Sequence, residues 1–114
     1  MPLLRIATNQ VVDKRAKEEF LTETSSLVAV TLGKSEDYVM TLFETDKVMT
    51  FAGNKSPAAY LEIKSLGLTT EQSRILSEIF CKLMEDKLSI PQSRVYIEFS
   101  NPDRPFWGWN GRTF

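Results

Sequence analysis

The chain has 114 residues, 14 basic and 15 acidic side chains, a net charge of −1, one cysteine and no histidine. That length suits one core and one domain, residues 1–114, and the near-neutral, interspersed charge leaves no basic footprint for nucleic acid. No apolar run approaches the ~20 residues of a membrane span, no signal-peptide layout is present, and a lone cysteine without histidine excludes an internal disulfide or a soft metal site, so a cytoplasmic protein with no metal and no membrane partner is expected.

In chain order, Pro2 to Ala7 is apolar and runs into the turn-like Thr8-Asn9-Gln10, which predicts a strand. Asp13 can cap the next segment, where Ala16, Phe20, Leu27, Val28 and Leu32 recur at helical intervals before Gly33 stops a helix of about 18 to 20 residues. Tyr38 to Phe43, rich in β-branched and aromatic residues, predicts a second strand, and Val48 to Phe51 a short extension after the turn at Thr45-Asp46-Lys47. Past the breaker Asn54-Lys55-Ser56-Pro57, Ala59, Leu61 and Ile63 alternate with Tyr60, Glu62 and Lys64 as in a half-buried strand.

Thr69 and Gln72 have the spacing of a capping box, and Ile75, Leu76, Ile79, Phe80, Leu83, Met84 and Leu88 form the stripe of a second amphipathic helix. Pro91 prevents its continuation. Arg94 to Phe99 predicts the last strand, followed by a tail rich in aromatics and glycine. Cys81, inside the second helix, reads as a small hydrophobe without chemistry.

An internal repeat emerges when the halves are laid over each other. Leu27, Val28, Leu32, Val39 and Phe43 fall opposite Leu83, Met84, Leu88, Val95 and Phe99 at one constant offset. Two βαβ units follow, and right-handed crossovers put both helices on one face of a four-stranded mixed sheet, an α+β two-layer sandwich. Strands apolar on both sides would leave the second face needing cover, so self-association is expected.

Pro2, directly after the start methionine in a histidine-free chain, is the candidate general base. A small second residue lets Met1 be trimmed, and the new terminus is then a rigid secondary amine. Chain-terminal amines titrate near ~8, and an apolar pocket lowers that value towards physiological pH, where the amine can take and return a proton.

Pro2, Gly33-Lys34, Tyr38, Ser65-Leu66-Gly67, Arg94-Val95-Tyr96-Ile97 and the tail Gly108-Trp109-Asn110-Gly111-Arg112-Thr113-Phe114 occur in order across the whole chain. With them the sequence resembles the macrophage migration inhibitory factor and D-dopachrome tautomerase family, within the tautomerase superfamily. The resemblance implies a homotrimer whose sheets wrap into a central barrel, with active sites at the subunit interfaces. It also implies cofactor-free keto–enol tautomerase activity on small aromatic α-keto acids such as phenylpyruvate, and isomerase activity on dopachrome-like compounds. By resemblance Pro2 is the catalytic base, Lys34 anchors the substrate carboxylate and the Leu66 backbone amide touches it. Tyr96 then enters the pocket from the neighbouring subunit, and Tyr38, Trp107, Trp109 and Phe114 form the aromatic rim and wall.

Three departures bear on activity. Ala58-Ala59-Tyr60-Leu61 stands where the animal cytokine carries Cys-X-X-Cys, which removes the residues for thiol–disulfide exchange. Glu98 replaces the Asn beside the substrate ring and, when ionised, accepts hydrogen bonds without donating any. Trp107 replaces a small aliphatic residue and narrows the pocket mouth. The competing reading is a cytokine-like signalling or binding protein with a vestigial proline pocket, since a fold does not determine a function. Retention of Pro2 and Lys34 favours the enzyme.

Overall fold

Alternation of side chains sets the first strand, β1 (Leu3–Thr8), which sends Leu4, Ile6 and Thr8 into the core and Leu3, Arg5 and Ala7 to the other face. The structure is a computed structural model that describes residues 1–114. Asp13 caps α1 (Lys14–Leu32), its carboxylate accepting from the Ala16 amide at 2.9 Å. Gly33 closes the helix at φ 63°, a left-handed conformation that strains any side chain. The chain returns as β2 (Met40–Glu44), parallel to β1.

The second unit repeats the first: β3 (Ala59–Lys64), α2 (Thr70–Leu88) and β4 (Val95–Ser100), with β3 and β4 parallel. Its elements lie at one constant offset from their counterparts, Leu3 to Ala59, Lys14 to Thr70 and Leu32 to Leu88. The sheet order is β2-β1-β3-β4, with β1 and β3 antiparallel at the centre, Leu3 opposite Lys64 and Thr8 opposite Ala59. Both helices press one face of this mixed sheet, and a core of 13 buried residues joins Leu4, Ile6, Leu61 and Ile63 of the strands to Phe20, Val28, Leu76, Phe80 and Met84 of the helices.

The capping box of α2 is complete. Thr69 Oγ1 accepts from the Gln72 amide at 3.1 Å, and Gln72 Oε1 accepts from the Thr69 amide at 3.0 Å. Thr69→Ala is expected to lower stability by about 1 kcal/mol, measured by urea denaturation. An unchanged midpoint would show that the cap adds nothing to the folded state.

Four local expectations are corrected. The second face of the sheet is mixed rather than apolar throughout, because the positions alternating with the core hold Arg5, Glu44, Glu62, Lys64 and Glu98 beside Leu3, Met40, Leu42, Tyr60 and Tyr96. Arg5 donates to Glu44 at 2.6 Å and to Glu62 at 3.3 Å, and the Tyr60 hydroxyl donates to Glu98 at 3.0 Å, so this face is satisfied within the chain. The Arg5 hydrogen bond holds the Glu44 carboxyl below its ordinary value. The face expected to be apolar therefore carries a charge network at its centre, while Met40 and Tyr96, on the two edge strands, remain exposed.

Val48 to Phe51 forms no strand extension: it lies beyond an edge strand with no partner, Val48 is 99% exposed, and Phe51 makes only an isolated bridge to Asn54. Tyr38 belongs to a 3₁₀ turn, Glu36–Tyr38, capped by the Ser35 hydroxyl, so β2 starts at Met40. Arg94 likewise ends a 3₁₀ turn, Gln92–Arg94, ahead of β4. Its guanidinium donates to the carbonyls of Phe51, Asn54, Ser56 and Pro57 at 2.9–3.3 Å and pins the loop between the two units.

The tail is more ordered than its composition indicates. After a 3₁₀ turn, Arg104–Phe106, it forms a hairpin of β5 (Gly108–Trp109) and β6 (Arg112–Thr113). Asn110 and Gly111, at φ 52° and 76°, make the tight turn, and Asn-Gly is the sequence signal for it.

Candidate functional site

The N-terminal end of β1 meets the C-terminal ends of α1, β3 and the tail at one end of the sheet, along the rim formed by the strand ends. Pro2 is fully buried there, and its carbonyl accepts from the Met40 amide at 3.0 Å, which ties the start of the chain to β2. Lys34 directly follows the αL residue that ends α1, and its own amide donates back to Ala29 at 2.9 Å, so its position is set by the helix terminus. Leu66 follows β3 and is 7% exposed.

Asn101 couples the chain after β4 to the turn that carries Leu66. Its Oδ1 accepts from the Gly67 amide at 2.9 Å and its Nδ2 donates to the Leu68 carbonyl at 3.3 Å. The hairpin then folds back over this rim. Trp109 meets Tyr38 edge to face at 5.5 Å and stacks on Phe114 at 5.7 Å, while the Phe114 amide donates to the Trp107 carbonyl at 3.1 Å. Arg112 covers the Trp109 ring at 5.4 Å.

Two adjoining cavities result. One, about 710 Å³, is lined by Met1, Lys34, Tyr38, Leu66, Arg104 and Phe114 among others. The other, about 390 Å³, is lined by Met1, Pro2, Tyr38, Met40, Trp107 and Trp109 among others. Met1 and Tyr38 border both, and volumes of a few hundred Å³ suit a small organic ligand.

All the candidate residues except Tyr96 and Glu98 come together here. Those two sit on the open face of β4: Tyr96 is 66% exposed and packs edge-on against Phe51 at 4.9 Å, and Glu98 is engaged by Tyr60. Sequence reasoning missed Arg104, Asn101 and Met1 as lining residues. The available signal was Pro102-Asp103-Arg104-Pro105, where two prolines hold a charged pair in a restricted turn.

The electrostatics of this rim are cationic. The Met1 amine is held below its ordinary value first by burial, then by the charges of Lys34 and of Arg104. Burial raises the Cys81 thiol, which stands in α2 away from both cavities. No group of three or more His, Cys, Asp or Glu side chains is placed to hold a metal ion, and no helix is long and apolar enough to cross a membrane.

The model of the family "Macrophage migration inhibitory factor (MIF)" matches residues 1–114. The chain belongs to the MIF family. Rat macrophage migration inhibitory factor is 35% identical over 115 residues, covering 100% of this chain and 99% of the relative. A macrophage migration inhibitory factor homolog of Trichuris trichiura is 36% identical over 115 residues, covering 100% of both chains. Among solved structures, the MIF homologue of Prochlorococcus marinus superposes with a TM-score of 0.93 at 41% identity, covering 98% of each chain. Membership places this MIF-family chain in the tautomerase superfamily, and its two helices on a four-stranded mixed sheet match the family's solved structures.

Proposed function

We propose that the chain is a keto–enol tautomerase of the phenylpyruvate type, a single MIF-like domain over residues 1–114, with Pro2 as general base once Met1 has been removed. The observation that carries this reading is the N-terminal environment: a buried Pro2 beside an amine whose pKa is lowered by burial and by two cations, at a cavity that holds Lys34. Met1 borders both cavities, and in this reading its removal joins them and brings the proline nitrogen to the Lys34 side. Burial and the charges of Lys34 and Arg104 then act on the Pro2 amine in the same direction as on Met1.

The reaction requires little else. Lys34 and the Leu66 amide hold the carboxylate of an aromatic α-keto acid. Neutral Pro2 nitrogen takes a proton from the carbon next to the ketone, and the electron pair left behind moves onto the carbonyl oxygen. The protonated Pro2 amine then returns a proton to that oxygen, which completes the enol and restores the neutral base, and the reverse steps regenerate the ketone. Tyr38, Trp107, Trp109 and Phe114 supply the apolar wall that keeps the amine neutral and seats the ring. Assembly as a homotrimer, with Tyr96 and Glu98 of one subunit closing the cavities of its neighbour, accounts for two candidates that the single chain leaves exposed on an edge strand.

An ultraviolet assay of phenylpyruvate interconversion tests the proposal, with wild type and Lys34→Ala side by side. Wild type should be active, and the variant should lose about 1 to 3 kcal/mol of transition-state stabilisation, the scale of a charge-assisted contact. A methyl ester of the substrate lacks the anion and should be much less sensitive to the substitution. An inactive wild type free of Met1 would sink the tautomerase assignment and leave the binding-protein reading.

A further inference from the structure

The cavity that contains Lys34 contains a second cation, Arg104. Neither residue takes part in any of the chain's ion pairs, which involve Arg5, Lys14, Arg15, Lys47, Lys64, Arg74 and Lys82. Arg104 is not on a loose loop. Pro102 and Pro105 restrict the backbone on either side, the Phe106 amide donates to Asp103 at 2.9 Å, and the Trp107 amide donates to Arg104 at 3.2 Å. Asn101 fastens the same segment to the turn that carries Leu66.

The backbone is thus positioned while the guanidinium has no partner in the chain. The one acidic side chain lining this cavity, Asp103, is in no ion pair either, so it leaves both cationic side chains free to meet a ligand. A planar guanidinium presents two parallel donors to a carboxylate, which a lysine ammonium cannot do. One carboxylate does not need both. Lys34 and Arg104 line the same cavity from different elements, the turn after α1 and the segment after β4, so each can meet a different anionic group of one ligand.

We propose that the cavity takes keto acids with a second anionic group, Lys34 holding the carboxylate beside the ketone and Arg104 a second carboxylate. The placing of the carboxylate beside the ketone rests on the tautomerase reading, whereas recognition of a dianion does not. Arg104 is then the residue that sets substrate class, extending it from aromatic mono-acids to diacids.

The test is equilibrium binding, by calorimetric titration of Met1-free protein with phenylpyruvate and with (4-carboxyphenyl)pyruvate. Wild type should bind the diacid about ten-fold or more tightly, the usual scale of a charged hydrogen-bonded contact. In Arg104→Gln the ratio of the two affinities should fall close to one, and Arg104→Lys, which keeps the charge without the fork, should give an intermediate ratio. No diacid preference in wild type, or a ratio unchanged in Arg104→Gln, would overturn the proposal. Because Arg104 is exposed and makes no side-chain hydrogen bond, its replacement removes no packing, and the wild-type ratio decides the matter even if one variant misfolds. Turnover of either compound is scored separately: a diacid preference without tautomerisation would uphold the dianion site and reject the enzyme reading, and tautomerisation without the preference would do the reverse.

Discussion

Pro2→Gly is expected to reduce kcat/KM for phenylpyruvate by about 10²-fold or more, within the usual range for a positioned acid–base group. Glycine keeps a terminal amine but loses the ring that fixes its direction and the secondary-amine basicity, so geometry and proton affinity change together. The pH profile gives the sign. Only the neutral amine accepts a proton, so log(kcat/KM) of wild type should rise with pH through one ionisation lying below the ~8 of an ordinary chain-terminal amine, the direction in which burial and the charges of Lys34 and Arg104 act on the Met1 amine. Below that ionisation, activity should fall about ten-fold per pH unit. Equal rates for the two proteins together with a flat profile would remove Pro2 from the mechanism.

Phe80→Ala should be the most destabilising core truncation, costing about 3 to 5 kcal/mol. Phe80 is fully buried on the inner stripe of α2, in the cluster that joins helices to sheet, and its removal leaves a cavity that close-packed neighbours fill only partly. At the matching position of the first unit α1 has Thr24, buried and bonded to the Phe20 carbonyl at 2.9 Å, so the repeat offers no second ring to take up the volume. Against a total of roughly 5–15 kcal/mol for folded domains this loss is a large share. Val48→Ala, at a fully solvated position, should change stability by less than about 0.5 kcal/mol. Urea midpoints at matched protein concentration check both, and a Phe80→Ala loss below about 1 kcal/mol would mean that this ring is not packed as described.

What the sequence determined by itself is what neighbours along the chain decide. Asp13, Gly33 and the Thr69–Gln72 pair act over three or four residues, and the alternation of Ala59, Leu61 and Ile63 is a property of one strand, so caps, helices and all four sheet strands were legible, with only the starts of β2 and β4 displaced by the turns before them. The duplicated pattern made the βαβ pairing and the sheet readable as well, because two copies of one amphipathic design must pack the same way. Pro2 and Lys34 stood out as chemistry in a chain without histidine.

Tertiary structure alone decided how distant positions meet. Cross-strand register brings Arg5 to Glu44 and Glu62, residues 39 and 57 positions away, and so sets a charge network at the centre of an open sheet face that the sequence indicated as apolar throughout. The capped turn before β2 takes Tyr38 out of the strand and sets it against Trp109, which arrives from the other end of the chain on a hairpin. Arg104 reaches the Lys34 cavity only because Asn101 bonds its loop to the turn after β3. Local propensity acts within a few residues, whereas these contacts depend on strand register and loop closure, which no single segment contains.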